Sequence, residues 1–287
     1  MLYVELLIQG IVQGSIYALI ALGLTLVYGL LRILHVAHAA LFTLGGYIGV
    51  IVTNETGSFP LAIVVAMIVV GLVGMAIYKL VYEPILSQPP FIALIASIAL
   101  FIASEEAFRI IFGPYGLSYQ TLPLQGGLEI ISGFYLKYGE LAVIIISVII
   151  IAVLAYLSAF TRTGISWRAT VTDPQIARSF GINIQRVRYM NFFVGSALAA
   201  LAGVLVSQLN NLVEPTMGSV ASYKALAIIV LGGLGSIRGT LIASLALGVI
   251  ESFGTIYLGH LIDRDALAFG FLILVLMFRP TGLLGAK

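Results

Sequence analysis

Residues 141–160, LAVIIISVIIIAVLAYLSAF, form an uninterrupted apolar stretch without a charged residue. A helix of about 20 such residues is long enough to cross a hydrocarbon core of about 30 Å. Seven further apolar runs lie at about residues 3–30, 37–52, 60–81, 91–112, 191–212, 223–252 and 266–278. The sequence therefore predicts an integral membrane protein with about eight hydrophobic elements.

The composition agrees with this prediction. Of 287 residues, 61% are hydrophobic and 9% are charged, whereas about 25% are charged in an ordinary soluble domain. Continuous apolar runs favour helices over the alternating strands of a membrane barrel. The connections are too short to build a separate core. We therefore predict an all-α polytopic bundle that forms a single transmembrane domain over residues 1–287.

The distribution of charge predicts the orientation of the bundle. The first apolar run contains Glu5 and follows no basic segment, so it is interpreted as a retained helix with the N-terminus outside. Five of the fourteen basic residues lie in residues 161–188, and such clusters favour the cytoplasmic side. We expect a cytoplasmic loop at 161–189, an outside connection at 113–140 and a cytoplasmic C-terminus carrying Arg279 and Lys287.

Glycines interrupt the seventh apolar run at residues 231–239, LGGLGSIRG. Each glycine lowers helix stability by about 1 kcal/mol and permits positive φ. The pattern predicts a break at which the chain turns back, with both halves opening outward. The last run, at 266–278, then leads into the cytoplasm.

A comparable interruption at residues 28–35 separates the first two apolar runs, which are either two full crossings or a second hairpin. A broken pair followed by an inward-running helix thus occurs twice, at 3–82 and 223–279, and suggests a parallel internal repeat. Broken helices are tolerated at membrane depth only where the break is buried in protein or lines a water-filled cavity. We therefore expect the break residues to line a central path: Tyr28, Gly29, Arg32, His38, Gly232, Gly233, Gly235 and Ser236.

The polar stretch at residues 161–188, TRTGISWRATVTDPQIARSFGINIQRVR, has the signals of a short helix. Asp173 is a good N-cap, Pro174 suits the first helical position, and Gly181 can end the helix in a left-handed conformation. Two turns over 175–180 would place Ile176, Ala177 and Phe180 on one exposed side, as a partner protein requires. The alternative is a basic loop resting on anionic lipid.

Three ionisable residues, Glu105, Glu106 and Arg109, lie near the outer end of the fourth run. Such groups in a membrane are usually paired or face water. They form either a local pair between Glu105 and Arg109 or an outer vestibule. None of the twelve acidic residues is assigned to the middle of the membrane.

Other sites are disfavoured by the sequence. His35 and His38 have no adjacent third ligand, so no metal site is expected. Arg32 and Arg238 lie near the breaks, where they either line the path or cap exposed carbonyl groups. No phosphate-binding loop of the form GxxxxGK[ST] occurs, so ATP hydrolysis by this chain is not expected. Cysteine is absent, which excludes disulfides and thiolate chemistry.

The motif RAxxxDPxxAxxxGIN at residues 168–183 resembles the coupling segment of permeases in bacterial branched-chain amino acid ABC importers of the LivH type. Three further blocks agree in order and spacing: GLTLVYG at 23–29 leading to Ala37 and His38, VLGGLGSI at 230–237, and RPTGLLG at 279–285. The resemblance therefore covers nearly the whole chain.

The resemblance implies a permease subunit of the prokaryotic inner membrane that carries leucine, isoleucine or valine and has no cofactor of its own. Its implied partners are a second, related permease, two subunits that bind and hydrolyse ATP, and an extracytoplasmic binding protein that meets the outer vestibule. The implied ATPase-coupling residues are Arg168, Asp173, Pro174, Ala177, Phe180, Gly181 and Ile182.

Two departures from the family pattern lie at the helix breaks. Arg238 stands where proline is usual, and residues 35–39 are HVAHA where Asn-Phe-Ala-His-Gly is usual. They leave open a related importer for urea, amides or other small polar solutes. A secondary transporter or channel is a third reading, for which a coupling carboxylate at mid-membrane depth is expected.

Overall fold

The computed structural model describes residues 2–131, 134–259, 263–279 and 281–284. Within these residues the chain forms eleven α-helices and one β-hairpin, so the predicted all-α bundle is confirmed. The helices are α1 (Leu2–Leu31), α2 (His38–Thr56), α3 (Phe59–Ile77), α4 (Pro90–Phe112), α5 (Tyr138–Phe160), α6 (Arg162–Thr172), α7 (Pro174–Ser179), α8 (Ile184–Asn210), α9 (Met217–Gly232), α10 (Ile237–Leu258) and α11 (Arg264–Phe278).

Six of these helical segments are long and apolar enough to cross a membrane, and α9 and α11 are shorter apolar helices. A π-helical turn (Tyr78–Tyr82) and a 3-10 turn (Glu83–Ile85) extend α3. The hairpin, β1 (Gly127–Ile131) and β2 (Phe134–Lys137), lies in the connection between α4 and α5 and is not predicted by the apolar pattern. The chain thus has the architecture of a polytopic membrane protein.

Helix α1 lies at the centre and packs against α8, α9 and α10. Glycine permits the closest approach, since a Cβ atom at Gly14 would lie 2.9 Å from the Cα atom of Leu245. Gly10 faces Val249 in the same way, which shows that α1 and α10 are antiparallel. Close packing through small residues is the usual means of helix association in lipid.

The first break differs from both alternatives that the sequence left open. Helix α1 continues to Leu31, and the chain then folds back, so that His38, the first residue of α2, hydrogen-bonds to the carbonyl oxygen of Ile20 at 3.2 Å. Ile20 lies eleven helical steps before Leu31, the last residue of α1, equivalent to roughly 16 Å along the helix. The pair is therefore one complete helix followed by a helix that begins inside the bundle.

The second break lies where the glycine pattern predicts it. The seventh apolar run is two helices, α9 and α10, joined by the turn at residues 233–236. Gly233 and Gly235 both adopt positive φ, +101° and +83°. Both segments proposed as repeats show the order helix, break, helix, helix, but the first break re-enters the bundle and the second is a tight turn. The internal repeat itself stays a prediction.

The segment predicted as a loop at 161–189 is mostly helical. Helix α6 precedes α7, and α8 begins at Ile184, seven residues before the predicted apolar run. The caps explain these boundaries, because Thr161 Oγ1 accepts a hydrogen bond from Gly164 N and Asn183 Oδ1 accepts one from Arg186 N. We call the end of the bundle that carries α6 and α7 the α7 end.

Candidate functional site

Helix α7 is capped at both ends as the sequence predicts. The Asp173 carboxylate accepts hydrogen bonds from the backbone N–H groups of Gln175 (2.8 Å) and Ile176 (3.0 Å). At the other end Gly181 adopts a φ of +80°, and the N–H group of Ile182 donates to the carbonyl oxygen of Ala177 at 3.1 Å. Six residues form few internal bonds, so these caps largely determine whether α7 forms.

The exposed apolar side of α7 consists of two residues rather than three. Phe180 is 83% exposed and Ile176 is 57% exposed, whereas Ala177 is 2% exposed. The prediction that Ala177 is exposed is therefore wrong, because α7 packs against α6 and α8 and has an inner side. Arg168 lies on α6 and donates to the carbonyl oxygen of Ala159 at 3.4 Å. Large apolar side chains outside the apolar runs are typical of an interaction site.

The structure brings residues of the two breaks together at the α7 end. They line one cavity of ≈ 440 Å³, whose walls are Tyr28, Gly29, Arg32, Val171, Leu234, Gly235, Ser236 and Leu284. Val171 belongs to α6, so the cavity adjoins the helix that leads into α7. Five of the eight predicted break residues therefore lie in one place, Tyr28, Gly29, Arg32, Gly235 and Ser236.

The other three predicted path residues do not line this cavity. Gly232 packs against the backbone of Gly239, where a Cβ atom would lie 2.5 Å away, and Gly233 lies against Gly282. His38 is buried beside Gly23. These residues permit close packing around the breaks.

The terminal block of the family pattern contacts the second break directly. The N–H groups of Leu283 and Leu284 donate to the carbonyl oxygens of Leu231 (2.8 Å) and Gly232 (3.1 Å). Those carbonyls end α9 and have no partner within the helix. Pro280 and Gly285 of the same block lie outside the described residues. The block therefore closes the end of α9.

The two histidines of the first break are buried and hydrogen-bonded. His35 Nδ1 and the Tyr82 hydroxyl are 2.6 Å apart, and the His35 and His38 ring centroids are 5.8 Å apart. The N–H group of Ala37 donates to the Ser97 hydroxyl at 3.0 Å. Within the described residues no His, Cys, Asp or Glu completes a group of three around them. Side chains of neighbouring helices thus satisfy polar groups of the re-entrant segment.

The sequence interpretation missed a charged cluster inside the bundle. Lys224 of α9 and Glu251 of α10 form a salt bridge of 3.0 Å, and the Tyr17 hydroxyl lies 2.6 Å from Glu251 and 2.9 Å from Lys224. Glu251 is 0% exposed and lies about 21 Å along α10 from the α7 end. The sequence analysis assigned no acidic residue to the middle of the membrane, whereas Glu251 is buried within an apolar helix of the bundle. One lysine and one glutamate within the apolar run at 223–252 were the available signal.

The family described as the permease component of the branched-chain amino acid transport system matches this chain over residues 6–278. The chain belongs to this family. Similarity extends to BraD, the high-affinity branched-chain amino acid transport system permease protein of Pseudomonas aeruginosa, with 33% identity over 99% of this chain and 96% of BraD. LivH of Escherichia coli K12, which has the same descriptive name, is 32% identical over the same shares.

A more distant member of the permease family is LivM of Escherichia coli K12, a second permease protein of the high-affinity branched-chain amino acid transport system. It is 26% identical over 94% of this chain and 68% of LivM. No solved structure matches the chain significantly. The region that matches the family, residues 6–278, includes α6 and α7.

Glu105, Glu106 and Arg109, predicted to form either a local ion pair or an outer vestibule, lie on α4. Arg109 pairs with Glu106 at 2.7 Å and with Glu105 at 3.7 Å. The predicted ion pair between Glu105 and Arg109 is thus present. The distance from Arg109 to Glu106 is shorter than the distance to Glu105. Exposed pairs of this kind contribute about 0–1 kcal/mol. A vestibule at this position stays a prediction.

Proposed function

We propose that this chain is the membrane-spanning permease subunit of an ATP-binding-cassette importer and forms the translocation path for leucine, isoleucine and valine. The substrate follows from the names of BraD and LivH. The observation that carries the mechanism is α7, a doubly capped helix with Phe180 and Ile176 exposed, which directly follows α6, whose Val171 lines the cavity of the two breaks. A short rigid helix with an apolar side fits a groove of a partner.

The proposed mechanism transmits force through α6. Closure of an ATPase moves α7, and α6 carries the displacement to Val171 in the wall of the break cavity. There the turn at 233–236 and the strained Arg32, whose φ is +54°, are positions at which α1 and α10 can change their relative arrangement. ATP is bound and hydrolysed by the partner subunits.

The proposed assembly contains a second, LivM-like permease, two ATPase subunits and an extracytoplasmic binding protein that delivers the amino acid. The α7 end lies in the cytoplasm, where Arg162, Arg168, Arg178, Arg186 and Arg188 follow the positive-inside rule. The N-terminus of α1 then lies outside and the end of α11 is cytoplasmic. The chain resides in a prokaryotic inner membrane.

The test is ATP-dependent leucine uptake into proteoliposomes that contain the whole complex. Asp173→Ala removes both cap hydrogen bonds, which contribute about 0.5–2 kcal/mol, and we expect uptake to fall strongly while the bundle stays folded. Asp173→Asn is the matched control, because asparagine caps equally well, and uptake should be close to that of the unchanged protein. Asp173→Lys and Gly181→Trp should abolish uptake. Normal uptake by either of these variants would remove α7 from the mechanism.

Glu251 provides the observation that favours the second candidate, a secondary transporter. A buried carboxylate within the membrane is a feature that ion-coupled transporters use. In this chain the Lys224 ammonium and the Tyr17 hydroxyl surround it, which instead supports a fixed structural pair. Liposomes that contain this chain alone separate the two functions, since leucine uptake without ATP or partners would reject the importer. Inhibition of leucine uptake by excess urea or acetamide would instead indicate an importer for small polar solutes.

A further inference from the structure

A groove of ≈ 700 Å³ lies at the α7 end between the end of α3 and the first turns of α8. Leu72 and Met75 on α3 and Met190 on α8 form its apolar wall, and Lys79 and Arg186 are its basic residues. The groove is separate from the cavity of the two breaks, with which it shares no residue. It has no part in the mechanism proposed above.

The apolar wall continues along the lipid-facing side of α3. Leu72 is 53% exposed, and the stripe proceeds through Ile68, Val64 and Leu61, all exposed. Their spacing of three or four residues places them on one side of the helix. Lys79, two turns beyond Leu72 on the same side, ends the stripe. A hydrocarbon chain lying against this stripe therefore leads to a positive charge.

The basic residues of the groove have no ion-pair partner in the described part of the chain. The neighbouring acid, Glu83, hydrogen-bonds to two residues of the groove lining, since the Tyr189 hydroxyl donates to it at 2.7 Å and the Gln185 amide also donates to it. Lys79 and Arg186 thus carry two positive charges at the mouth of an apolar groove. A negatively charged group is the complementary ligand.

We propose that the groove binds one anionic phospholipid. The phosphate lies between Lys79 and Arg186, and an acyl chain lies against Met75, Leu72 and the stripe on α3. Basic pockets between membrane helices at the cytoplasmic side are suited to anionic headgroups. A soluble anion would leave the apolar wall uncovered, whereas a lipid satisfies both parts. The bound lipid lies against the first turns of α8, directly after α7.

The test is native mass spectrometry of the purified full-length chain titrated with phosphatidylglycerol or phosphatidylcholine. We expect Lys79→Gln and Arg186→Gln each to weaken phosphatidylglycerol binding about fivefold, and the double variant about 30-fold. Binding of phosphatidylcholine should change little. The matched control is Arg162→Gln with Arg178→Gln, which removes two exposed charges from the same end but none from the groove, and it should bind phosphatidylglycerol normally.

Leu72→Trp is a second, independent variant that fills the groove and keeps both charges. It should reduce the tightly bound phosphatidylglycerol from one molecule to none. Equal losses in the groove variant and the control variant would overturn the proposal, since binding would then depend on surface charge alone. Undiminished binding by the double groove variant would overturn it as well. The readout is lipid binding, so it does not depend on which solute the permease carries.

Discussion

The ammonium group of Lys224 lies 3.0 Å from a carboxylate oxygen of Glu251 in the interior of the bundle, where the two side chains are 5% and 0% exposed. The pair joins α9 to α10 across the turn of the second break, and the Tyr17 hydroxyl extends it to α1. An isolated charge in this environment costs several kcal/mol, whereas a paired charge is largely compensated. The cluster therefore holds the α9–α10 hairpin against the central helix.

Lys224→Met should destabilise the protein by about 3–5 kcal/mol, because it leaves the Glu251 carboxylate buried without its cation. Thermal unfolding in detergent measures the change. The double variant, Lys224→Met with Glu251→Gln, removes both charges and should recover most of the lost stability. If the single and double variants unfold at the same temperature, the ion pair does not couple these helices.

Gly181→Ala should loosen α7 without destabilising the bundle. No atom lies within 4 Å of the position that the alanine Cβ would occupy, so the only cost is the positive φ of +80°, about 1–2 kcal/mol for alanine. Hydrogen exchange of the amides at 175–180 should accelerate, and ATP-dependent uptake should fall. Gly181→Asn is the control, since asparagine tolerates this conformation better and should retain more protection. Equal protection in both variants would contradict the role of the cap.

Gly203→Ala should separate α8 from α2. A Cβ atom at Gly203 would lie 1.9 Å from the carbonyl oxygen of Phe42, so the two helices must move apart. We expect a loss of about 1–3 kcal/mol in thermal unfolding, the usual range for overpacking. Gly270→Ala on α11 is the control, because no atom lies within 4 Å of its Cβ position, and it should be neutral or slightly stabilising. Similar losses for both variants would show that close packing is not the cause.

Local signals in the sequence predicted the parts of the fold that depend on local physics. Gly233 and Gly235 identify the second break, since positive φ is a property of single residues. The caps of α7 were predicted for the same reason, because Asp173 and Gly181 act on amides within three residues of themselves. Helix α6 was missed, because its sequence is polar and the prediction followed apolar runs.

Arrangements that depend on which helices pack together could not be read from one sequence. Tyr17 and Glu251 are 234 positions apart, and no local pattern brings them together. The return of the first break into the bundle also could not be predicted locally. Its polar groups are satisfied by Tyr82 and Ser97, which belong to other helical segments. The burial of Ala177 likewise follows from the packing of α7 and not from its periodicity.

Gly282→Ala should detach the terminal segment from the second break. Gly282 has a φ of +83°, and a Cβ atom there would lie 2.6 Å from the Gly233 nitrogen. The hydrogen bonds from Leu283 and Leu284 to the end of α9 would then lengthen or break. Their amides should exchange at least about tenfold faster, equivalent to about 1.4 kcal/mol.

Gly113→Ala is the matched control for this substitution, because Gly113 has the same φ of +83° but no atom within 4 Å of its Cβ position. Both substitutions place alanine at a positive φ, and only Gly282→Ala adds crowding against Gly233. Exchange at Leu283 and Leu284 should therefore be unchanged in Gly113→Ala. If Gly282→Ala also leaves these amides protected, the terminal segment is not what closes α9, and the turn at 233–236 is held by its own glycines.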